Sequence, residues 1–284
     1  MDRTPWIVVG CGYTGARLAR RLLDDGAAVW LTARTAAAAE AHARRLGAGA
    51  HALALVLPTD VAALATAPAS ARVVILAPPA DGAGTGEAAL LAAVPAPARV
   101  LYVSSTGVYG PAGGAWVDEA TPLAPASATG AARVAAEAAV RAGATPWTIL
   151  RPAGIYGPGR GLLARLRAGS YRVVGDGRGH VSRIHVDDLV TAIIAAAQAP
   201  AAAGAIYNVA DLAPTPAAEL ADGLAAELGL PPPPRVPVDE VSAEVRAMLT
   251  ADRRIDGARL RRELGLTLRY PSWREGVAAE LAAH

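Results

Sequence analysis

Three glycines near the start of the chain have a spacing suited to phosphate binding. Gly10, Gly12 and Gly15 follow the apolar run Trp6–Val9 and lead into a helical pattern over Gly15–Leu23. In a strand–turn–helix setting the first glycine permits a tight turn and the second lets backbone amides approach a pyrophosphate. The third lets helix pack closely on strand. The pyrophosphate then sits at the positive end of the helix dipole. Cys11, Tyr13 and Thr14 complete the turn and belong to the expected binding set. A second position selects the dinucleotide. After the run Ala28–Thr32 come Arg34 and Thr35, with no acid before Glu40. An acid there would hold a ribose 2′-hydroxyl, whereas arginine accepts a 2′-phosphate in a bidentate pair. Arg34, with a hydroxyl from Thr32 or Thr35, points to NADP(H) as the preferred cofactor and leaves NAD(H) open as the second choice.

These residues need elements to position them, and the chain supplies a regular alternation. Apolar runs at Trp6–Val9, Ala28–Thr32, Ala52–Leu57, Arg72–Ala77, Arg99–Ser104 and Trp147–Leu150 read as strands. Helical stretches at Gly15–Leu23, Ala36–Leu46, Glu87–Ala93 and Ala131–Arg141 lie between them. Strands apolar on both faces and joined by helices predict an α/β fold, a doubly wound parallel sheet of the Rossmann type. After Pro152 the pattern loosens into Gly- and Pro-rich segments, which predicts a small C-terminal substrate lobe. Residues 1–152, completed by segments near 184–210, form the expected cofactor domain. Residues 153–183 and 211–284 form the lobe.

Composition excludes several classes. The 284 residues carry 27 basic and 25 acidic groups, a balance that offers no broad attraction to nucleic acid or acidic membranes. The single cysteine rules out a disulfide framework or a cysteine metal cluster, and the histidines are scattered without metal-ligand spacing. The stretch Leu189–Ala210 is broken by Gln198, Pro200, Gly204 and Asn208, so it reads as helix, turn and strand rather than a membrane span. A cytoplasmic location and no membrane partner are expected. Every basic residue is arginine, which removes lysine chemistry altogether.

Four motifs then occur in order: Val103–Gly110 with Ser104-Ser105 and Tyr109, Leu150–Pro158 with Arg151-Pro152 and Tyr156, Ile184–Leu189, and Tyr207–Ala210. Together with the closing segment Arg254–Gly265, they resemble the extended short-chain dehydrogenase/reductase family, of NAD-dependent epimerase/dehydratase type. The resemblance spans essentially the whole chain. It implies that Ser104, Pro152 and the wall Ala77-Pro78-Pro79 border the cofactor, and that Ser105 hydrogen-bonds a substrate oxygen.

The departures from that pattern are informative. Val8 and Val9 stand where the extended members carry Thr-Gly. The family's reaction uses a tyrosine as acid/base and a lysine four residues on; the matching positions here are Thr129, 24 residues after Ser105, and Arg133. An aliphatic hydroxyl titrates far above a phenol, and a guanidinium does not exchange protons at neutral pH. With Thr129 and Arg133 the chain resembles an atypical branch of the extended members that lacks the Tyr/Lys pair and keeps cofactor binding, which implies that Arg133 bonds the nicotinamide ribose. Gly154 and Val181 replace an Asn and an Arg of sugar-nucleotide enzymes, which weighs against such substrates. Tyr109 and Tyr156 are candidate proton donors or packing residues; His185 and the pair Asp118-Glu119 are outside candidates. Arg160 and Arg165 suit a small anionic substrate.

The expected activity is an oxidoreductase on a small polar or anionic molecule. A non-catalytic NADP-binding sensor or scaffold, and an epimerase or lyase using transient hydride transfer, remain as alternatives. The resemblance also implies a homodimer through Glu87–Ala93 and Ala131–Arg141.

Overall fold

A computed structural model of the protein describes residues 4–56 and 59–282. Seven strands form one sheet: β1 (Trp6–Val9), β2 (Val29–Ala33), β3 (Ala50–Ala54), β4 (Arg72–Ile75), β5 (Arg99–Val103), β6 (Trp147–Pro152) and β7 (Ala205–Val209). Their order is β7-β6-β5-β4-β1-β2-β3, and the registered pairs from β6 through to β3 run parallel. The chain therefore builds outward from β1 to β3, returns to the other side of β1, and continues to β7. That reversal between β1 and β4 leaves a crevice at the carboxyl ends of the strands, where open α/β sheets bind ligands.

The alternation of side chains explains why these runs become strands. Ile7, Val9, Val73, Ile75, Val100, Tyr102 and Ile149 share one face and one core. Leu90 of α3 (Thr85–Ala93) and Ala136 and Val140 of α4 (Ala128–Ala142) cover it. The intervening Val8, Val74, Leu101 and Leu150 are buried as well, as expected for a sheet covered on both faces. α1 (Tyr13–Asp24) contacts β1 and β2, and α2 (Ala36–Leu46) contacts β2 and β3.

The described chain divides into two compact units. The first comprises residues 1–104, 131–150 and 193–206, and the second 105–130, 151–192 and 207–284. Residues 105–130, expected in the cofactor domain, group instead with the second unit. The reason is a backbone seam in which the Ala112 and Gly114 amides donate to Ala251 and Asp252. The Arg253 guanidinium adds bonds to the carbonyls of Tyr109 and Gly110. The second unit has its own core around Tyr156, Leu163, Val173, Leu224 and Trp273. It carries only short pairs, such as Gly154–Tyr156 beside Arg183–His185.

Among the sequence-based strand boundaries the third moves most, while the reading of Leu189–Ala210 as helix, turn and strand holds. The third strand spans 50–54 rather than 52–57, because its register is set by pairing Val29–Ala33 with Ala50–Ala54; Leu57 lies outside the described residues. The stretch Leu189–Ala210 resolves into a helix ending at Gln198, a short turn and β7. No described helix is long and apolar enough to cross a membrane.

Candidate cofactor cleft and the surrounding site

The glycine turn is shaped by contacts that only glycine satisfies. Gly10 has φ +96°, and a Cβ there would stand 2.7 Å from the Ala77 nitrogen. At Gly15 a Cβ would lie 2.3 Å from the Gly10 carbonyl oxygen. Gly12 differs: nothing lies within 4 Å of its Cβ position, so the missing methyl opens space rather than relieving a clash. Gly12 is also the N-cap of α1, with no side chain capping the helix and no acid in its first turn. The turn thus presents an open, uncapped helix start, the cradle that a pyrophosphate needs.

Around this cradle lies a cleft of about 810 Å³ within the first unit. Val9, Gly10, Cys11 and Gly12 form one wall, and Leu76, Ala77, Pro78 and Ala80 another. Thr32–Thr35 with Ala38 and His42 form a third, and Leu55 and Val56 close the end. Among the described residues no acidic side chain lines it. Thr32 pins the turn, its hydroxyl accepting a bond from the Gly10 amide at 3.1 Å. Thr35 caps α2 by accepting from the Ala38 amide. Arg34 is exposed and has no hydrogen bond or ion pair to a described residue. Burial pushes the Cys11 thiol up, so it is a neutral part of the wall.

The remaining sequence candidates lie elsewhere. Thr14 and Gly15 are buried in the first turn of α1, and Tyr13 stacks beneath Arg17 at 3.9 Å. Pro79 follows the Ala77-Pro78 wall but does not line the cleft. Ser104 is buried and donates to Glu137 at 2.6 Å. Arg133 donates to the carbonyls of Val103 and Ser104, both at 3.2 Å, and so clamps the end of β5. Pro152 ends β6 and is buried.

In the second unit Ser105 is half-buried and accepts from the Gly107 amide at 3.0 Å, capping a single turn over Thr106–Val108. The start of α4 sits against this turn, since a Cβ at Gly130 would lie 2.5 Å from the Gly107 oxygen. Thr129, next to Gly130, is exposed, and its hydroxyl donates to the Glu244 carboxylate. The sequence gives no local sign of this pairing, because the two residues are 115 positions apart.

Tyr109 and Tyr156 sit among committed partners. The Tyr109 hydroxyl donates to Asn208 at 2.9 Å and accepts from Arg151 at 2.8 Å. Tyr156 donates to the Ser272 carbonyl and packs edge-on against His185. Burial pushes both phenols up, Tyr156 far above its ordinary value. Arg165 is likewise tied, donating to the Ser170 carbonyl and stacking on Tyr171. Arg160 lines a recess of only about 10 Å³, with room for one water. Among the described residues no cluster could hold a metal ion.

Sequence reasoning missed Val9, Ala33, Leu76 and Ala80, which adjoin predicted residues, and also Ala38, His42, Leu55 and Val56. Ala38 and His42 are four apart on one helix face, a periodicity visible in sequence once the helix is known to flank the cleft. Leu55 and Val56 are brought there by the parallel pairing of β3 with β2.

Known proteins agree with this architecture. Residues 6–210 match the NAD dependent epimerase/dehydratase family. Protein YeeZ of Escherichia coli K12 is 36% identical over 177 residues, covering 61% of this chain and 59% of its own. A 3-diazoavenalumate denitrifying reductase of Streptomyces is 34% identical over 142 residues, 46% of each chain. The chain thus spans about half to three-fifths of these relatives' length. A functionally unknown conserved protein from Silicibacter pomeroyi has a solved structure with TM-score 0.83 and 34% identity, with 99% of each chain covered. With its parallel sheet, glycine cradle and ordered motifs, this chain belongs to the NAD-dependent epimerase/dehydratase family.

Proposed function

We propose that the protein binds NADP(H) in preference to NAD(H) and acts as an oxidoreductase on a small polar or anionic molecule. The observation that carries the cofactor reading is Arg34, an unpaired guanidinium lining the same cleft as the glycine cradle, with no acid beside it. A ribose 2′-hydroxyl would find no carboxylate here, whereas a 2′-phosphate would meet a planar, permanent cation. Gly12 gives the pyrophosphate room, and Ala77 and Pro78 form an apolar wall. A bound nicotinamide cofactor supplies hydride chemistry.

The chain's own residues set the rest. Arg133 fixes the end of β5 through two carbonyls, and Ser105 presents a half-buried hydroxyl just beyond it in the chain. At the position of the family's tyrosine, Thr129 cannot relay a proton at neutral pH, so the proton comes from another group or from water. The relative whose name states a reduction is in keeping with an oxidoreductase. The Thr129/Arg133 departure favours one second reading, a non-catalytic NADP-binding sensor.

Affinity measurements for NADP⁺ and NAD⁺, by calorimetry on the wild type and Arg34→Ala, test the cofactor reading. The variant should lose about tenfold or more for NADP⁺ and less than twofold for NAD⁺; equal losses would defeat the assignment. NADPH oxidation across a panel of carbonyl compounds, with Ser105→Ala as control, separates the enzyme from the sensor. Tight cofactor binding with no turnover of any compound would favour the sensor.

A further inference from the structure

Three hydroxyls and one carboxylate meet at a corner of the second unit. Gly130 marks it, for a Cβ there would lie 2.5 Å from the Gly107 oxygen and 3.2 Å from Ser127 Oγ. The turn after Ser105 and the start of α4 thus press together on this glycine. On one side Ser105 Oγ accepts the Gly107 amide at 3.0 Å. On the other, Ser127 Oγ accepts the Gly130 amide at 3.1 Å and lies 3.3 Å from Thr129 Oγ1. The Thr129 hydroxyl then donates to Glu244 Oε1. Ser105 follows shortly after the carboxyl end of β5, the end at which open α/β sheets take their ligands.

Glu244 reaches this corner on a strap. It sits on the short helix Ala243–Leu249, which Ser242 caps and which buries none of its residues. The Gly175 amide ties the strap at the Val236 carbonyl before this helix, and the Ala112 amide ties it at the Ala251 carbonyl after it. Packing therefore does not fix Glu244; the bond to Thr129 does. Glu244 is exposed, and its Oε2 has no hydrogen-bond partner among the described residues. Other proton-exchanging groups of this unit are occupied. Tyr109 and Tyr156 donate to Asn208 and to the Ser272 carbonyl. His185 is buried with its Nδ1 accepting from the Asp187 amide, and the His180 ring spans Asp252 and Arg254. Asp118 caps the turn that follows it, and Glu119 accepts from the Asn208 amide. Lysine is absent from the chain. Among these groups only Glu244 brings an unengaged carboxylate oxygen to the hydroxyls beside Ser105.

We infer that Glu244 is the acid/base of the reaction, its Oε2 taking the hydroxyl proton of an alcohol substrate and returning it to the carbonyl oxygen in reduction, while Thr129 holds Oε1. This rests on the oxidoreductase reading above and names the proton-exchanging group that it requires. In oxidation the substrate carbon gives a hydride to NADP⁺ as its C–H bond breaks. The hydroxyl gives its proton to the Glu244 carboxylate, and the O–H electron pair becomes the second bond of the carbonyl. The carboxylic acid so formed passes its proton to water. Ser105 Oγ accepts from Gly107 and keeps its own hydrogen for the substrate oxygen. Thr129 is a positioning residue: its hydroxyl orients the carboxylate and carries no proton of the reaction.

The test uses the full chain with whichever carbonyl compound of the panel above turns over fastest, reduced with NADPH, and with its alcohol, oxidised with NADP⁺. Glu244→Gln keeps an oxygen to accept from Thr129 and loses only proton exchange. Its kcat should fall about a hundredfold or more in both directions, with KM within about threefold. Its Kd for NADP⁺ by calorimetry should stay within about twofold of wild type. Glu244→Ala should be as slow and regain about tenfold or more with added acetate, which offers a carboxylate in place of the lost one. Glu240→Gln removes another exposed carboxylate of the strap and should match wild type with and without acetate. Thr129→Val should lose about three- to tenfold in kcat, and Thr129→Ser should keep the wild-type rate. A Glu244→Gln enzyme within about threefold of wild type would overturn the inference, as would a Glu244→Ala enzyme indifferent to acetate. So would a loss of NADP⁺ affinity in Glu244→Gln as large as its loss of kcat, which would make the strap structural. A wild type that binds NADP⁺ tightly yet turns over nothing in either direction sinks the oxidoreductase reading itself, a distinct failure.

Discussion

Asp211 concentrates an unusual amount of electrostatic cost in one side chain. It is 3% exposed, one carboxylate oxygen accepts from the Ala213 amide, and the other has no hydrogen-bond partner among the described residues. Burial pushes its carboxyl up to about 7, against the pull of the Ala213 amide and Arg183. Glu275 and Asp188 add to the rise. The folded form therefore holds this proton more tightly than the unfolded chain, whose Asp titrates near 4. Stability from this group is complete below that value and is lost as pH rises through about 7. The loss is on the order of 4 kcal/mol at most. Asp211→Asn, which imitates the neutral acid, should flatten the fall in urea midpoint between pH 5 and 8 and exceed wild type at pH 8. Parallel profiles for the two proteins would show that the carboxyl is ionised throughout. Buried Glu87 is also raised and acts with the same sign, so the difference between the profiles carries the result. Residue-level chemistry was only partly legible in the sequence. Arg34 follows from local spacing and the Thr129/Arg133 departure from the family resemblance, whereas the Glu244 partner of Thr129 and the burial of Asp211 depend on the folded second unit.

At the scale of elements, the β1–turn–α1 unit separates folding from binding within six residues. Gly15 must be glycine for the chain to close, because an added methyl would stand 2.3 Å from the Gly10 oxygen. Gly12 borders open space. Gly15→Ala should cost about 1–3 kcal/mol in denaturant unfolding, through a forced shift of the turn. Gly12→Ala should stay within about 0.5 kcal/mol of wild type yet weaken NADP⁺ and NAD⁺ alike, since its methyl enters the pyrophosphate's place. A Gly12→Ala protein that binds both normally would move the pyrophosphate away from this turn. Here the sequence was most readable: β1 and α2 have the expected bounds, because four buried apolar residues and a Thr35 cap mark them locally. β3 was read two residues late at its start. Its Ala- and His-bearing run has little strand preference of its own, and the pairing with β2 decides where it begins.

At the scale of the whole molecule, the cleft exists because the sheet gathers segments that are distant along the chain. β1, β2 and β4 are neighbours in the sheet, so the turn at 10–12, the segment 32–42 and the wall at 76–80 face one space. The sequence announced the first two through glycine and arginine signals. The third came from the family resemblance at Ala77-Pro78, and the doubling back of the chain across β1 is what brings it there. A ligand that occupies this space should protect all three segments together, and hydrogen exchange can resolve them. NADP⁺ should slow exchange in peptides covering 10–18, 32–42 and 76–80, while peptides from 215–230 stay unchanged. Since the ligand binds only the folded form, NADP⁺ at a hundred times its Kd should add about 2.7 kcal/mol to stability and raise Tm by several degrees. Protection confined to the glycine turn would mean that the anion alone is held and that the 32–42 wall takes no part. Joint protection of the three segments, lost from 32–42 alone when 2′,5′-ADP is replaced by pyrophosphate, would tie that wall to the adenosine end of the cofactor.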